Sequence, residues 1–93
     1  MKIRWLDSAV KDLKLLREYI ASDNPEAASD VAQQIRYALK LLTGYPAAGR
    51  PGRVPETREL IVAGTPYILP YRVRAGKVEI LRVLHGARRW PEA

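Results

Sequence analysis

Apolar and polar positions along this chain follow two rhythms, one in each half. The opening run Lys2–Leu6 alternates, with Ile3 and Trp5 pointing one way and Lys2 and Arg4 the other, which is compatible with a half-buried strand. From Ser8 to Ala21 the period changes. Val10, Leu13, Leu16 and Ile20 recur at helical spacing and form one stripe, while Lys11, Asp12, Lys14 and Glu18 are assigned to water. Asp7 or Ser8 is placed to cap this helix. Ser22-Asp23-Asn24-Pro25 ends it and begins another, with Asn24 as N-cap and Pro25 at the first helical position, where a missing N–H costs nothing. Glu26 adds negative charge to the first turn, which the helix dipole favours. Ala28, Val31, Ile35, Ala38 and Leu42 make the second stripe; Gly44 is placed to stop the helix and Pro46 prevents its resumption. Two amphipathic helices joined by so short a turn predict an antiparallel hairpin.

Beyond the hairpin the period shortens to two. Ala47–Glu56 holds two Pro, two Gly and two Arg and is expected to be a loop. Three strand-like runs follow: Arg58–Val62, Tyr67–Val73 and Lys77–His85, separated by Gly64-Thr65-Pro66 and by the turn Arg74-Ala75-Gly76. Turns this tight predict an antiparallel meander. Pro70 lacks a ladder donor, so the second run should carry a bulge or an exposed edge there. The third run is apolar at both parities, with Val78, Ile80 and Leu84 on one face and Leu81 and Val83 on the other, as a central strand requires. The element order is β-α-α-β-β-β, an α+β class.

Composition narrows the functional classes. A chain of 93 residues has room for one domain, residues 1–93, with a thin core built from Leu, Ile, Val and Ala, since it contains no Phe. There is no cysteine, which removes disulfides, zinc–thiolate clusters and thiol nucleophiles, and His85 is the single histidine. No cofactor and no metal are expected. No apolar stretch approaches the ~18 residues of a membrane span, and Asp7 interrupts the run a signal peptide would need. The expected location is the cytoplasm, with no membrane partner. The net charge is +6, and its distribution is uneven. Residues 1–49 carry seven Lys/Arg against six Asp/Glu; residues 50–93 carry nine against four, and eight of those nine are Arg. Planar guanidinium forks favour a phosphate-bearing or acidic partner, although surface charge also serves solubility.

Five short strings occur in the same order. They are Tyr19-Ile20-Ala21-Ser22-Asp23-Asn24-Pro25-Glu26-Ala27-Ala28, Pro46-Ala47-Ala48-Gly49-Arg50, Thr57-Arg58-Glu59-Leu60, Pro70-Tyr71-Arg72-Val73, and Glu79 to Arg88 (E-I-L-R-V-L-H-G-A-R). Together they resemble the RelE/ParE superfamily of toxins from bacterial type II toxin–antitoxin systems, closer to its ParE-like branch through the helical turn and the Gly49-Arg50 loop. The resemblance spans nearly the whole chain. It implies that the helical hairpin packs on one face of a small, mainly antiparallel sheet, with the first strand beside the last. It also implies a cognate antitoxin whose acidic or amphipathic tail wraps the toxin. Two toxic activities occur in the superfamily: poisoning of DNA gyrase, and cleavage of mRNA in the ribosome.

The residues weigh these activities differently. Metal-free RNA cleavage needs a base for the ribose 2′-OH, an acid for the leaving oxygen, and cations for the phosphorane. The candidates are Arg72, Arg82 and His85, with Arg58 and Arg88 as further cations and Tyr67, Tyr71 and Glu59 as lesser acid–base groups. Arg82 and His85 stand three apart, so a regular strand sends them to opposite faces; they converge only if the strand ends or bulges near Leu84. His85 reads equally as a structural anchor of the strand end. Candidate contacts to a target or nucleic acid are Arg50 and Arg53 in the Gly/Pro loop, Arg58, and the basic-aromatic end Arg88, Arg89 and Trp90. Trp90 reads equally as a core residue. Arg74 and Lys77, flanking a turn, are expected to be merely solvated. Gyrase inhibition needs no acid–base pair, and the sparse catalytic complement favours it over cleavage.

Overall fold

The backbone passes from its first strand into its first helix through a single residue, Leu6. In the structure, a computed structural model, residues 1–86 and 90–91 are described. Strand β1 (Lys2–Trp5) is followed by α1 (Asp7–Asp23), α2 (Pro25–Gly44), β2 (Arg50–Pro51), β3 (Arg58–Ile61), β4 (Tyr67–Arg74), β5 (Lys77–Ile80) and β6 (Leu84–His85). Leu6 still donates its N–H to the Ile80 carbonyl at 3.1 Å and then serves as N-cap of α1, without a side-chain cap. This corrects the expectation that Asp7 or Ser8 caps the helix. The sheet holds residue 6, so the helix starts at once, and Asp7 becomes an acidic group in the first turn. The inward stripe shifts with it. Ala9 is fully buried and Leu13, Leu16 and Ile20 are half-buried, whereas Val10 is 50% exposed.

The interhelical turn is a single residue. Asn24 closes α1 by donating its N–H to Ile20 O at 2.8 Å, and its Oδ1 accepts from Glu26 and Ala27 N–H at 3.1 and 3.2 Å to open α2. Pro25 follows at the first helical position, where its lack of an N–H is harmless. The stripe of α2 closes on the core through Ile35, Ala38 and Leu42.

The sheet has the order β1-β5-β4-β3-β2, with β6 also paired to β4. β1 runs parallel to β5 in the register Ile3↔Val78 and Trp5↔Ile80, and all other pairings are antiparallel. The first strand therefore lies beside the last long one. Residues in register share a face, so Ile3, Trp5, Leu60, Leu69, Tyr71, Val78 and Ile80 all meet the core beneath the helices. The other face carries Lys2, Arg4, Glu59, Pro70, Arg72, Arg74, Lys77 and Glu79. A two-residue loop joins β4 to β5, with φ of 52° at Ala75 and 72° at Gly76, the left-handed pair that matches strand twist.

Two expectations about the strands change. The stretch expected to be a loop contains β2, which pairs Arg50 with Glu59 and Pro51 with Arg58. The run Lys77–His85 is not continuous: it breaks after Ile80 and resumes as β6. The cause is Pro70, which sits on an inner strand and is itself buried. Its carbonyl accepts from Leu81 N–H at 2.9 Å and more weakly from Arg82 N–H at 3.5 Å, so two residues face one in a bulge. A regular ladder would return a bond from residue 70 to the Leu81 carbonyl, and proline has no hydrogen to give. The Ser8 hydroxyl donates to that carbonyl instead, at 2.8 Å. The predicted irregularity at Pro70 is thus real, but the bulge lies on the facing strand.

Candidate functional site

Tyr71 anchors the loop that presents Arg50 and Arg53. It is fully buried, donates its hydroxyl to Pro46 O at 2.6 Å and accepts from Gly49 N–H at 2.9 Å. Burial pushes its phenol above the ordinary range, opposed by the Gly49 bond and the charge of Arg58. Arg58 grips the same turn, donating to Gly49 O at 2.8 Å and Ala47 O at 3.4 Å. Glu59, buried on the outer face, holds the other side: it pairs with Arg50 at 3.2 Å and accepts from Arg53 N–H at 3.2 Å. Tyr71 and Glu59, considered as acid–base groups, therefore fasten a loop. The Arg50 side chain stays 55% exposed, and Arg53 reaches the half-buried Trp90 through its carbonyl at 3.5 Å. Arg88 and Arg89 lie outside the described residues.

Arg72 belongs to the outer face. It donates from Nε to Glu79 at 2.7 Å, and Arg4 approaches the other Glu79 oxygen at 3.4 Å. The Glu79 side chain is only 4% exposed between these two cations. The hydrogen bond from Arg72, more than any other influence, holds its carboxyl below the usual range. Stability drawn from a depressed carboxyl is present above the unfolded value of ~4.3 and is lost as pH falls through the lower folded value. Glu79→Gln should therefore be less stable than the parent at neutral pH, with the gap narrowing below pH ~4. Urea titrations of both proteins across that range check this; a gap that widens in acid would refute it.

Arg82 goes to the helical side. Asp12, expected to face water, receives it with two bonds, Nε to Oδ2 at 2.6 Å and NH2 to Oδ1 at 3.1 Å, and also accepts from Val83 N–H at 3.1 Å. The bulge makes this possible by freeing the Val83 N–H from the ladder. His85 is exposed and stands edge-on to Tyr67, with ring centroids 5.8 Å apart and planes at 86°. Tyr67 shares the parity of Leu69 and packs against the core, so this ring pair lies on the helix-facing side. Asp12, Leu15, Tyr19, Tyr67 and His85 line a cleft of about 300 Å³. Arg82, through Asp12, and His85 thus border one cleft, while Arg72 is on the opposite face of the sheet. Asp12 and Glu79, which position two of the three catalytic candidates, were not among the residues singled out from sequence. Glu79 had a signal available, as the one acid in the run Lys77–His85, flanked by Val78 and Ile80.

A helical hairpin packed on one face of a mainly antiparallel sheet is the fold this chain shares with RelE/ParE toxins. Residues 3–90 match the family described as the ParE toxin of the type II toxin–antitoxin system parDE. Y4kP of Sinorhizobium fredii is 46% identical over 91 residues, covering 98% of this chain and 94% of its own. Toxin RelE2 of Caulobacter vibrioides is 37% identical over 87 residues, covering 94% of this chain and 97% of its own. The chromosomal ParDE system from P. aeruginosa superposes with a TM-score of 0.80 at 31% identity, over 91% of this chain and 95% of that one. YafQ from E. coli shares the fold alone, with a TM-score of 0.65 at 17% identity over 92% and 93% of the two chains. The chain belongs to the ParE toxin family of type II toxin–antitoxin systems, a membership that implies a cognate antitoxin as partner. No helix among the described residues is long and apolar enough to cross a membrane.

Proposed function

We propose that this toxin arrests growth by poisoning DNA gyrase in the cytoplasm, and that its antitoxin prevents this by occupying the toxin. The observation that carries the reading is the separation of the cations. Phosphorane stabilisation asks for positive groups converging on one point. Here Arg72 serves Glu79 on the outer face while Arg82 serves Asp12 on the helical side. Membership of the ParE family supports the same target. A second reading, ribosome-dependent mRNA cleavage, draws on the cleft that His85 and Tyr67 share beside the Asp12–Arg82 pair.

Purified toxin added to gyrase supercoiling and cleavage reactions, with and without ATP, separates the two. Inhibited supercoiling with trapped linear DNA is the expected result, and His85→Ala should remain toxic on induction in cells. Unaffected gyrase, together with new mRNA 5′ ends after induction and a harmless His85→Ala protein, would transfer the assignment to RNA cleavage.

A further inference from the structure

On the sheet face turned away from the helices, cations fall into rows that the chain order conceals. Lys2 registers with Lys77, and Lys77 with Arg74. One step along the strands, Arg4 registers with Glu79, and Glu79 with Arg72. The β4–β5 hairpin and the sequence-distant β1 thus bring five cations together against one carboxylate, leaving four net positive charges among the described residues. Lys2, Arg74 and Lys77 are exposed, and the Arg4 side chain is 60% exposed. With strands ~4.8 Å apart and same-face neighbours ~6.6 Å apart, the two rows occupy a patch about 10 by 7 Å.

We propose that this face binds the phosphate backbone of duplex DNA, so that the toxin contacts nucleic acid directly. Two features favour a duplex over an acidic polypeptide. The patch offers no apolar side chain between its cations, and an acidic segment that orders on binding needs buried apolar area to offset its entropy. A duplex arrives already ordered, with one phosphate charge per ~1.7 Å of axis. The patch is also pre-arranged: Glu79 fixes Arg72 and Arg4 in place, and the tight Ala75-Gly76 turn holds Arg74 opposite Lys77. Contacts of this kind are independent of base sequence.

The test is fluorescence anisotropy of a short labelled duplex with the full-length toxin over a range of salt. It contains no gyrase, so its result stands apart from the poisoning assay. The variant Arg74→Gln/Lys77→Gln is compared with Lys14→Gln/Arg36→Gln, which removes the same charge from the exposed side of the helical hairpin. Both sets of positions are exposed, and thermal melts confirm that each variant is folded. The hairpin-turn variant should bind roughly tenfold more weakly and lose about two from the slope of log affinity against log salt. The helical variant should change far less. Equal losses from both variants would mean diffuse attraction to a basic protein and would overturn the proposal. So would a hairpin-turn variant that loses affinity for polyglutamate while binding duplex as before.

Discussion

Gly49→Ala should lower the melting temperature by about 10–20 °C, more than any other glycine-to-alanine change outside the Gly/Pro loop, on the scale of ~4–8 °C per kcal/mol for a domain this small. A Cβ at this position would sit 2.7 Å from both Cε1 and the hydroxyl of Tyr71 and 2.9 Å from the Glu59 carbonyl. Real contacts of that kind are not tolerated, and neither neighbour can yield. The ring of Tyr71 is fully buried and its hydroxyl is committed to Pro46 and Gly49, while the Glu59 carbonyl belongs to β3. Overpacking costs ~1–3 kcal/mol, and shifting the loop adds the loss of the buried Gly49–Tyr71 bond, about 1 kcal/mol or more. Gly44→Ala is the control. It ends α2 with nothing within 4 Å of the added carbon, and should stabilise by ~0.4–1 kcal/mol. Differential scanning calorimetry of the two variants decides the matter: a Gly49→Ala protein melting with the parent would mean that the Tyr71 tether is loose. Tyr71→Phe should fall between them, since it keeps the ring and removes only the hydroxyl.

How much of this was written visibly in the chain depends on the range of the interaction. The helical hairpin was legible because its signals are local. Asn24 accepts from N–H groups two and three residues away, Pro25 sits at the first helical position beside it, and the stripe of α2 recurs within a single element. The meander was legible for the same reason, through short turns and period-two alternation. What escaped were consequences of register, a property of two strands at once. Pro70 announced an irregularity, but only the facing strand shows where it falls, at Leu81 and Arg82. Asp12 reads as a surface residue of α1 until that bulge releases Val83 N–H and turns Arg82 towards it, across 70 positions of sequence. The rows formed by Lys2, Lys77 and Arg74 are equally invisible in one dimension, because β1 reaches β5 by a parallel pairing across the whole helical hairpin. Arg74 and Lys77 alone look like solvated turn residues; Lys2 beside them makes a patch.

Asp12→Ala should be the most damaging charge removal, at ~2–4 kcal/mol, a figure set below that of a fully buried pair because water still reaches this one. The Arg82 side chain is 24% exposed and that of Asp12 13%. The change deletes both bonds to Arg82 and the acceptor of Val83 N–H, so the irregular segment between β5 and β6 is left with only the Ser8–Leu81 bond, among those described, to hold it to α1. Asp12→Asn keeps an oxygen for Val83 and should recover part of the loss, whereas Arg82→Ala removes the cation and leaves the Asp12 acceptor for Val83 N–H. A double-mutant cycle over Asp12 and Arg82 should give a coupling energy of about 1–3 kcal/mol; a value near zero would mean that the pair is incidental. The same set of proteins separates structure from action. If Arg82 serves the fold alone, toxicity of the variants at low temperature should follow their melting temperatures, with Asp12→Ala and Arg82→Ala on one line. If Arg82 meets the target itself, Arg82→Ala should lose toxicity well beyond what its stability predicts, while Asp12→Asn, which retains the guanidinium, should not.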